Sequence, residues 1–184
     1  MIPPSATTSP ATNITDDKTQ ITNNRYTRQC IYTFIASPNE RVRVSFTKFS
    51  LRAELPECLD EYIDVYAELK NPDSDLLSTP FGGRYCDLVI PHDRISLFHT
   101  IVISFYTAKL FDGSILNGSD IFEAPYIAGT PMPNEICSYT IHSDVRREGE
   151  FMTPTYPGVY PKNITCYYLF KGVKGQRVKL EFMD

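Results

Sequence analysis

Five carboxylate side chains are concentrated around one cysteine, Cys58, in the first half of the chain. They are Glu54, Glu57, Asp60, Glu61 and Asp64. Hard cations such as Ca²⁺ bind several oxygen ligands from nearby loops, so Glu54, Glu61 and Asp64 are weak candidate calcium ligands. The reading that we favour is a solvated acidic rim, which would meet a basic patch on a partner protein. The sequence therefore favours no metal site and no cofactor, with calcium as the open alternative.

The chain offers little that could perform covalent chemistry. It contains no G-x-S-x-G, H-E-x-x-H or G-x-x-x-x-G-K-[ST] motif. Two of its three histidines, His92 and His99, flank a loop beside a predicted strand. Ser96, His99 and Asp93 can be combined into a serine–histidine–aspartate set, but nothing in the sequence orients them. We therefore predict that the chain is not an enzyme and has no catalytic residue.

Cysteines and glycosylation sequons occur together along the chain. The five cysteines show no C-x-x-C spacing and no metal-like arrangement with histidine. Asn-x-Ser/Thr triplets begin at Asn13, Asn117 and Asn163. Disulfides form mainly in oxidising compartments, so this combination favours an extracellular protein that is glycosylated at Asn117 and Asn163.

Charge and hydropathy exclude several classes of partner. The net charge is -4, the pI is about 5.4 and no Lys/Arg run is present, which argues against nucleic acid and anionic membranes. The most apolar stretch, Ile95 to Phe105, is interrupted by polar residues, so we predict no membrane insertion by this chain. Because Met1 to Ser5 lacks the apolar core of a signal peptide, we expect that the natural start is missing or misplaced.

One sequence pattern appears twice and sets the organisation of the chain. Residues Cys30 to Phe46 and Cys166 to Phe182 align without a gap at an offset of 136 positions (166 − 30). A repeat of this length indicates tandem copies of one small domain. In each copy, apolar residues alternate with polar ones after a short turn, as in Val42, Val44 and Phe46, which is the period of a strand with one wet face.

The turn-forming residues between the apolar runs predict an all-β fold, an antiparallel β-sandwich. Turn clusters rich in Asn, Pro, Asp and Gly separate short apolar runs, and no amphipathic helix is apparent. The predicted strands are Ile31–Ala36, Arg41–Phe49, Tyr62–Glu68, Ile101–Tyr106 and Phe122–Tyr126. Residues 1–24 read as a disordered spacer, 25–127 as the first module, 128–136 as a linker and 137–184 as the opening part of a second, truncated module.

The stretch from Gly149 to Asn163 carries the most specific motif. It reads G-x-[apolar]-x-[ST]-P-x-Y-P-x-x-Y-P-x-N and is followed by C-x-Y-x-[apolar] from Cys166. This wording resembles the opening of a CUB domain. In the first copy, Phe46 to Phe49 resembles the F-x-x-F strand of that family, Cys58 to Val65 its C-x-Y-D-Y-L-E-V strand, and Phe81 to Cys86 its loop with the fourth cysteine. The first copy departs from the pattern at its head, where the first cysteine and the Y-P-x-x-Y-P strand are absent.

The resemblance implies a CUB-type jelly roll and a specific cysteine pairing. It implies disulfides Cys58–Cys86 and Cys137–Cys166, which leaves Cys30 unpaired or bonded between chains. Calcium-binding members of the family have a Glu five residues before the cysteine that corresponds to Cys58 and an Asp three residues after it. Here these positions are Ala53, adjacent to Glu54, and Glu61, and the later loop from Phe105 to Lys109 has no Asp. We therefore expect weak calcium binding or none.

The resemblance also implies a non-enzymatic extracellular module that binds another protein. The motifs of both copies together most resemble those of the suppressor-of-lurcher group of CUB membrane proteins. This resemblance implies an accessory protein that modulates an ionotropic glutamate receptor. Two alternatives stay open: the non-catalytic CUB region of a tolloid-like metalloprotease or complement-type protease, and a secreted CUB-only binder of ligands or carbohydrate.

Overall fold

A computed structural model describes residues 28–108 and 113–183, and these residues form strands and loops only. Ten strands occur in chain order: β1 (Arg28–Ile35), β2 (Arg41–Ser50), β3 (Glu61–Leu69), β4 (Arg84–Tyr85), β5 (Arg94–Ile95), β6 (Thr100–Thr107), β7 (Ile115–Glu123), β8 (Thr130–Pro131), β9 (Tyr139–His142) and β10 (Tyr168–Lys171). No helix among the described residues is long and apolar enough to cross a membrane. The predicted disordered head, residues 1–24, lies outside the described part of the chain.

The first copy of the repeat folds as two antiparallel sheets. One sheet has the strand order β1-β6-β3-β4 and the other the order β5-β2-β7. Alternate side chains of β2, β3 and β6 point between the sheets, as the period of two requires. They form a continuous core of Ala36, Val42, Val44, Phe49, Leu51, Ile63, Val65, Ile101 and Ile103. The predicted β-sandwich is confirmed.

For four of the five predicted strands, both ends lie within three residues of the ends of an observed strand. The fifth prediction does not match in this way. The prediction placed a strand at Phe122–Tyr126, whereas β7 runs from Ile115 to Glu123. Nearly all of β7 is exposed at a sheet edge, so its side chains carry no apolar alternation for a sequence pattern to detect. Strand β7 is held in place by its backbone pairing with β2. The two strands approach closely at Gly118, where a Cβ would lie 2.5 Å from the Ser45 carbonyl oxygen.

The second copy forms a small sheet of a different kind. Strand β10 pairs with β9 in parallel, and β8 pairs with β9 antiparallel, so the chain is not antiparallel throughout. The predicted linker 128–136 contributes to this sheet, because Thr130 and Pro131 pair with Thr140 and Tyr139. Contrary to the prediction, Val178 to Phe182 form no strand. No described strand lies beside these residues to satisfy their backbone groups.

The cysteines form two disulfides, one in each copy. Cys58 bonds Cys86 and Cys137 bonds Cys166, which are the two predicted pairs. Cys30 is exposed on β1 and forms no disulfide within the described residues. Each bond closes a loop of similar length, 28 positions in the first copy and 29 in the second. Loops of this length give a disulfide a stabilising effect of roughly 3.5 kcal/mol in the chain-entropy model.

Candidate functional site

The Cys58–Cys86 disulfide joins two loops at one end of the sandwich. Both cysteines are buried, and the Leu51 amide donates to the Asp87 carbonyl oxygen at 3.0 Å, which connects the same two loops a second time. Cys58 and Asp87 both have a left-handed backbone, with φ values of +47° and +67°. This conformation is uncommon for non-glycine residues, and here the disulfide and the Leu51–Asp87 hydrogen bond fix the two loops relative to each other.

These two fixed loops carry apolar side chains into solvent. Leu59 and Leu88 are each 68% exposed, and three neighbouring apolar side chains are exposed by about half or more. We call the five residues the apolar loop surface: Leu55, Leu59, Leu88, Val89 and Ile90. Exposed apolar side chains grouped in this way are typical of protein–protein contact sites. Glu54 and Glu57 are exposed in the loop that carries Leu55 and Leu59.

Glu61 stabilises the first of these loops through hydrogen bonds to its carboxylate. It is almost fully buried at the start of β3, and its Oε2 accepts hydrogen bonds from the Arg52 amide at 2.6 Å and the Ser114 hydroxyl at 2.8 Å. A buried carboxylate must have such donors, because an unpaired one is costly to desolvate. Glu61 therefore ties the loop that begins at Arg52 to the turn before β7.

Asp64 lies on the opposite face of β3 and has a different partner. Its two carboxylate oxygens accept from Nε and an Nη of Arg84, each at 2.8 Å. This hydrogen-bonded pairing raises the pKa of the Arg84 guanidinium above its ordinary value. The guanidinium also lies 3.6 Å from the centroid of the Tyr62 ring, which stacks on Tyr106. Asp64 thus stabilises the outer face of the sheet.

The three candidate calcium ligands do not converge. Glu54 is on the exposed loop, Glu61 faces the core with its hydrogen bonds in use, and Asp64 is paired with Arg84 on the other face. Among the described residues, no group of three His, Cys, Asp or Glu side chains is placed to hold a metal ion. Calcium needs several oxygens directed at one point, so the described residues do not fit a calcium site as they are arranged.

The remaining sequence-predicted residues have clear positions. Asn117 on β7 and Asn163 in the second copy are both exposed, as glycan acceptors must be, whereas Asn13 lies outside the described residues. Ser96 is fully buried, and its hydroxyl accepts from the Val42 amide and donates to the Phe98 carbonyl oxygen. The backbone therefore uses the Ser96 hydroxyl, and no hydrogen bond within the described part of the chain joins it to Asp93 or His99.

The apolar loop surface was missed by sequence reasoning, although a signal was present. Leu88, Val89 and Ile90 form an apolar run between Cys86 and Pro91, where a strand cannot extend. An apolar run in a loop next to a disulfide has no core to enter, so it points outward. Sequence analysis also missed the burial of Arg41 and Arg94. Both side chains are buried, whereas charged residues are expected at the surface.

Comparison with known proteins places this architecture in a family. Residues 11–115 and 137–184 match the family model of the CUB domain. The chain belongs to the CUB domain family. The CUB domain is a non-catalytic, protein-binding module, and its all-β sandwich is the fold seen here.

Several curated proteins are similar to this CUB chain at modest identity. Cubilin of Canis lupus familiaris is 28% identical over 146 residues, which is 79% of this chain and 4% of the relative. The dorsal-ventral patterning protein tolloid of Drosophila melanogaster is 25% identical over 187 residues, 85% of this chain and 17% of the relative. Blastula protease 10 of Paracentrotus lividus is 24% identical and covers 84% of this chain and 28% of the relative. The chain therefore spans only a small part of the relatives it matches.

Proposed function

We propose that this CUB chain binds another extracellular protein through the apolar loop surface. The observation that carries the proposal is the group of exposed apolar side chains on two loops that the Cys58–Cys86 disulfide fixes in place. A preformed apolar surface loses little conformational entropy on binding, which favours a partner with a complementary apolar patch. The exposed Glu54 and Glu57 would meet basic residues at the edge of that patch and accelerate association.

The partner class that we propose is the extracellular domain of an ionotropic glutamate receptor, with this chain as part of a membrane-associated accessory protein. Two disulfides and exposed sequon asparagines at positions 117 and 163 support an extracellular setting. We assign residues 25–127 and 137–184 to two CUB modules separated by 128–136. No catalytic role and no cofactor enter this proposal.

The test measures binding of the full chain to a purified receptor extracellular domain by biolayer interferometry. A double variant, Leu88→Asp with Ile90→Asp, should weaken binding at least tenfold, because it charges the centre of the apolar loop surface. Leu77→Asp is the matched control, since Leu77 is 96% exposed on a different loop. Equal weakening by both variants would contradict the assignment of the surface, and absence of binding by the wild type would contradict the receptor.

A second candidate follows from one specific observation, the similarity to a protein named Blastula protease 10. In that case this chain is the non-catalytic CUB region of an extracellular protease, and the same surface binds a protein that the protease cleaves. A protease domain encoded in the same transcript would identify this case. A CUB-only carbohydrate binder has no observation in its favour.

A further inference from the structure

Residues 153–162, which we call the opening segment, begin the second CUB copy but lie against the first, whereas the preceding Phe151 packs on Tyr168 and Phe170 of the second copy. An Nη of Arg41 on β2 donates a hydrogen bond to the Pro154 carbonyl oxygen. At the other end of the segment, the Lys162 amide donates to Glu68 Oε1 at 2.8 Å, and Lys162 Nζ donates to the Phe81 carbonyl oxygen at 2.7 Å. The opening segment is therefore held to the first copy at both ends.

The middle of the opening segment packs tightly on β5. Thr155 is 1% exposed, and its hydroxyl donates to the Val159 carbonyl oxygen at 2.6 Å, which closes a compact turn. A Cβ at Gly158 would lie 2.8 Å from the Thr155 carbonyl oxygen and 3.0 Å from that of Asp93. Only glycine fits this approach without displacing backbone.

The fit between the opening segment and the sandwich is close beside β5 and open beside β7. The cavity between Val65, Ala67 and Ile95 on one side and Thr155 and Val159 on the other is about 30 Å³. That volume has room for about two water molecules, so the contact beside β5 is nearly closed. A larger cavity of about 390 Å³ lies between Arg41 and Tyr126 on one side and Pro154 on the other.

Two arginines of the first copy are buried beside this contact. Arg41 is 7% exposed and has its pKa lowered by desolvation, and the Pro154 carbonyl group supplies a hydrogen-bond acceptor for it. Arg94 is 6% exposed and lies over the Tyr85 ring at 4.6 Å. Burying a guanidinium is costly without partners, so the Pro154 carbonyl group offsets part of that cost for Arg41. The buried Arg94 Nε has no hydrogen-bond partner in the described part of the chain, and its guanidinium is stabilised by the Tyr85 ring.

The repeat makes this arrangement informative. At the offset of 136, residues 153–162 correspond to residues 17–26, so the first copy has its own equivalent stretch. The three prolines of the opening segment, Pro154, Pro157 and Pro161, then fall on Lys18, Ile21 and Arg25. The first copy thus presents the surface that accepts a T-P-x-Y-P-x-x-Y-P segment, but its own sequence at the equivalent positions does not contain one.

We propose that the opening segment of the second CUB copy is a structural part of the first, whose sandwich is complete only when this segment is packed on β5. Its occupant is residues 153–162 of the same chain. The surface formed by β5 and the ends of β2 and β3 is consequently covered by the chain itself, which leaves the apolar loop surface at the disulfide end free for a partner.

Hydrogen exchange of the full chain, followed by mass spectrometry, tests this proposal. Gly158→Val should lift the segment from β5 and speed exchange at least tenfold at the Ser96 amide, which donates to the Val42 carbonyl oxygen. The Ser143 amide of the second copy, which donates to Lys171, should exchange as in the wild type. Gly172→Val is the matched control, because a Cβ there meets nothing closer than 3.4 Å.

A second measurement keeps the proposal testable if Gly158→Val folds poorly. Lys162→Ala with Glu68→Ala removes one anchor and should speed exchange at Ser96 by a smaller factor. Adding a synthetic peptide of residues 149–163 to the Gly158→Val protein should restore slow exchange, whereas the same peptide with Gly158→Val should not. Unchanged exchange at Ser96 in both variants would overturn the proposal. A concentration-dependent dimer that carries the contact between chains would overturn its assignment to one chain.

Discussion

The stretches Cys30–Phe46 and Cys166–Phe182 share one sequence pattern and adopt different structures. In the first, β1 pairs with β6 and β2 is the central strand between β5 and β7. In the second, Tyr168–Lys171 pairs in parallel with β9, and the residues after the turn form no strand. Val42 is 0% exposed, but its counterpart Val178 is 51% exposed. The same alternation of apolar and polar residues therefore forms a buried strand in the first copy and an exposed segment without a strand in the second.

The difference shows what alternation specifies and what it leaves open. A period of two determines which side chains share a face, but each strand also needs neighbours for its backbone N–H and C=O groups. Strand β2 has such neighbours on both edges, and the facing sheet covers Val42 and Val44. The stretch around Val178 has neither a paired strand nor a facing sheet among the described residues. Tertiary partners therefore decide whether the pattern becomes a strand.

The largest expected effect comes from breaking one disulfide at a time. Cys58→Ala with Cys86→Ala should lower the free energy of unfolding of the first copy by roughly 3.5 kcal/mol, because the bond closes a 28-position loop within that sandwich. Cys137→Ala with Cys166→Ala should lower it by less than half as much, since both of its cysteines lie outside the first sandwich. Urea denaturation followed by tyrosine fluorescence measures both. Equal losses would mean that the two copies depend on both bonds alike.

Much of the fold could be predicted from the sequence because its signals are local. The alternation along Arg41–Ser50 and the mainly apolar run of Thr100–Thr107 indicate burial directly, since most buried side chains are apolar. Strand β7 escaped prediction because backbone hydrogen bonds hold it while its side chains stay in water. The parallel pairing of β9 with β10 escaped because a strand pattern does not encode the direction of its neighbour.

The site was less predictable because it depends on contacts between distant residues. Acidic residues around Cys58 predicted a rim, but not that Glu61 would turn inward to the Arg52 amide and the Ser114 hydroxyl. The contact of Arg41 with Pro154 joins residues 113 positions apart, and no short pattern carries such information. Resemblance supplied the cysteine pairing, which spacing alone leaves open.

A core substitution sharpens the comparison of the two repeats at a single matched position. Val42→Ala should lower the free energy of unfolding by about 2 kcal/mol, because it removes fully buried methyl groups and leaves a cavity. Val178→Ala, at the equivalent position of the second copy, should change it by no more than about 0.5 kcal/mol, as for other exposed sites. Parallel urea titrations give both values. A loss above about 1 kcal/mol for Val178→Ala would mean that the second stretch is buried in solution.

The smallest expected effect concerns one ion pair from each copy. Arg84 and Asp64 form a two-point pair beside the Tyr62 ring, and the Asp64 side chain is only 12% exposed. Lys179 and Glu181 form a pair whose side chains are 83% and 69% exposed. Water and salt weaken an exposed pair, and holding two mobile side chains together costs entropy. The two pairs therefore have similar charges and different surroundings.

Double-mutant cycles measure this last contrast. Arg84→Met, Asp64→Asn and their combination should give a coupling energy of about 1 kcal/mol, because both hydrogen bonds are charge-assisted and one partner is nearly buried. Lys179→Met, Glu181→Gln and their combination should give no measurable coupling. Raising the salt concentration to about 1 M should leave most of the first value, since a partly buried pair is screened less. A coupling at Lys179–Glu181 as large as that at Arg84–Asp64 would show that the second stretch is as ordered as the first, and the contrast between the two repeats would then be lost.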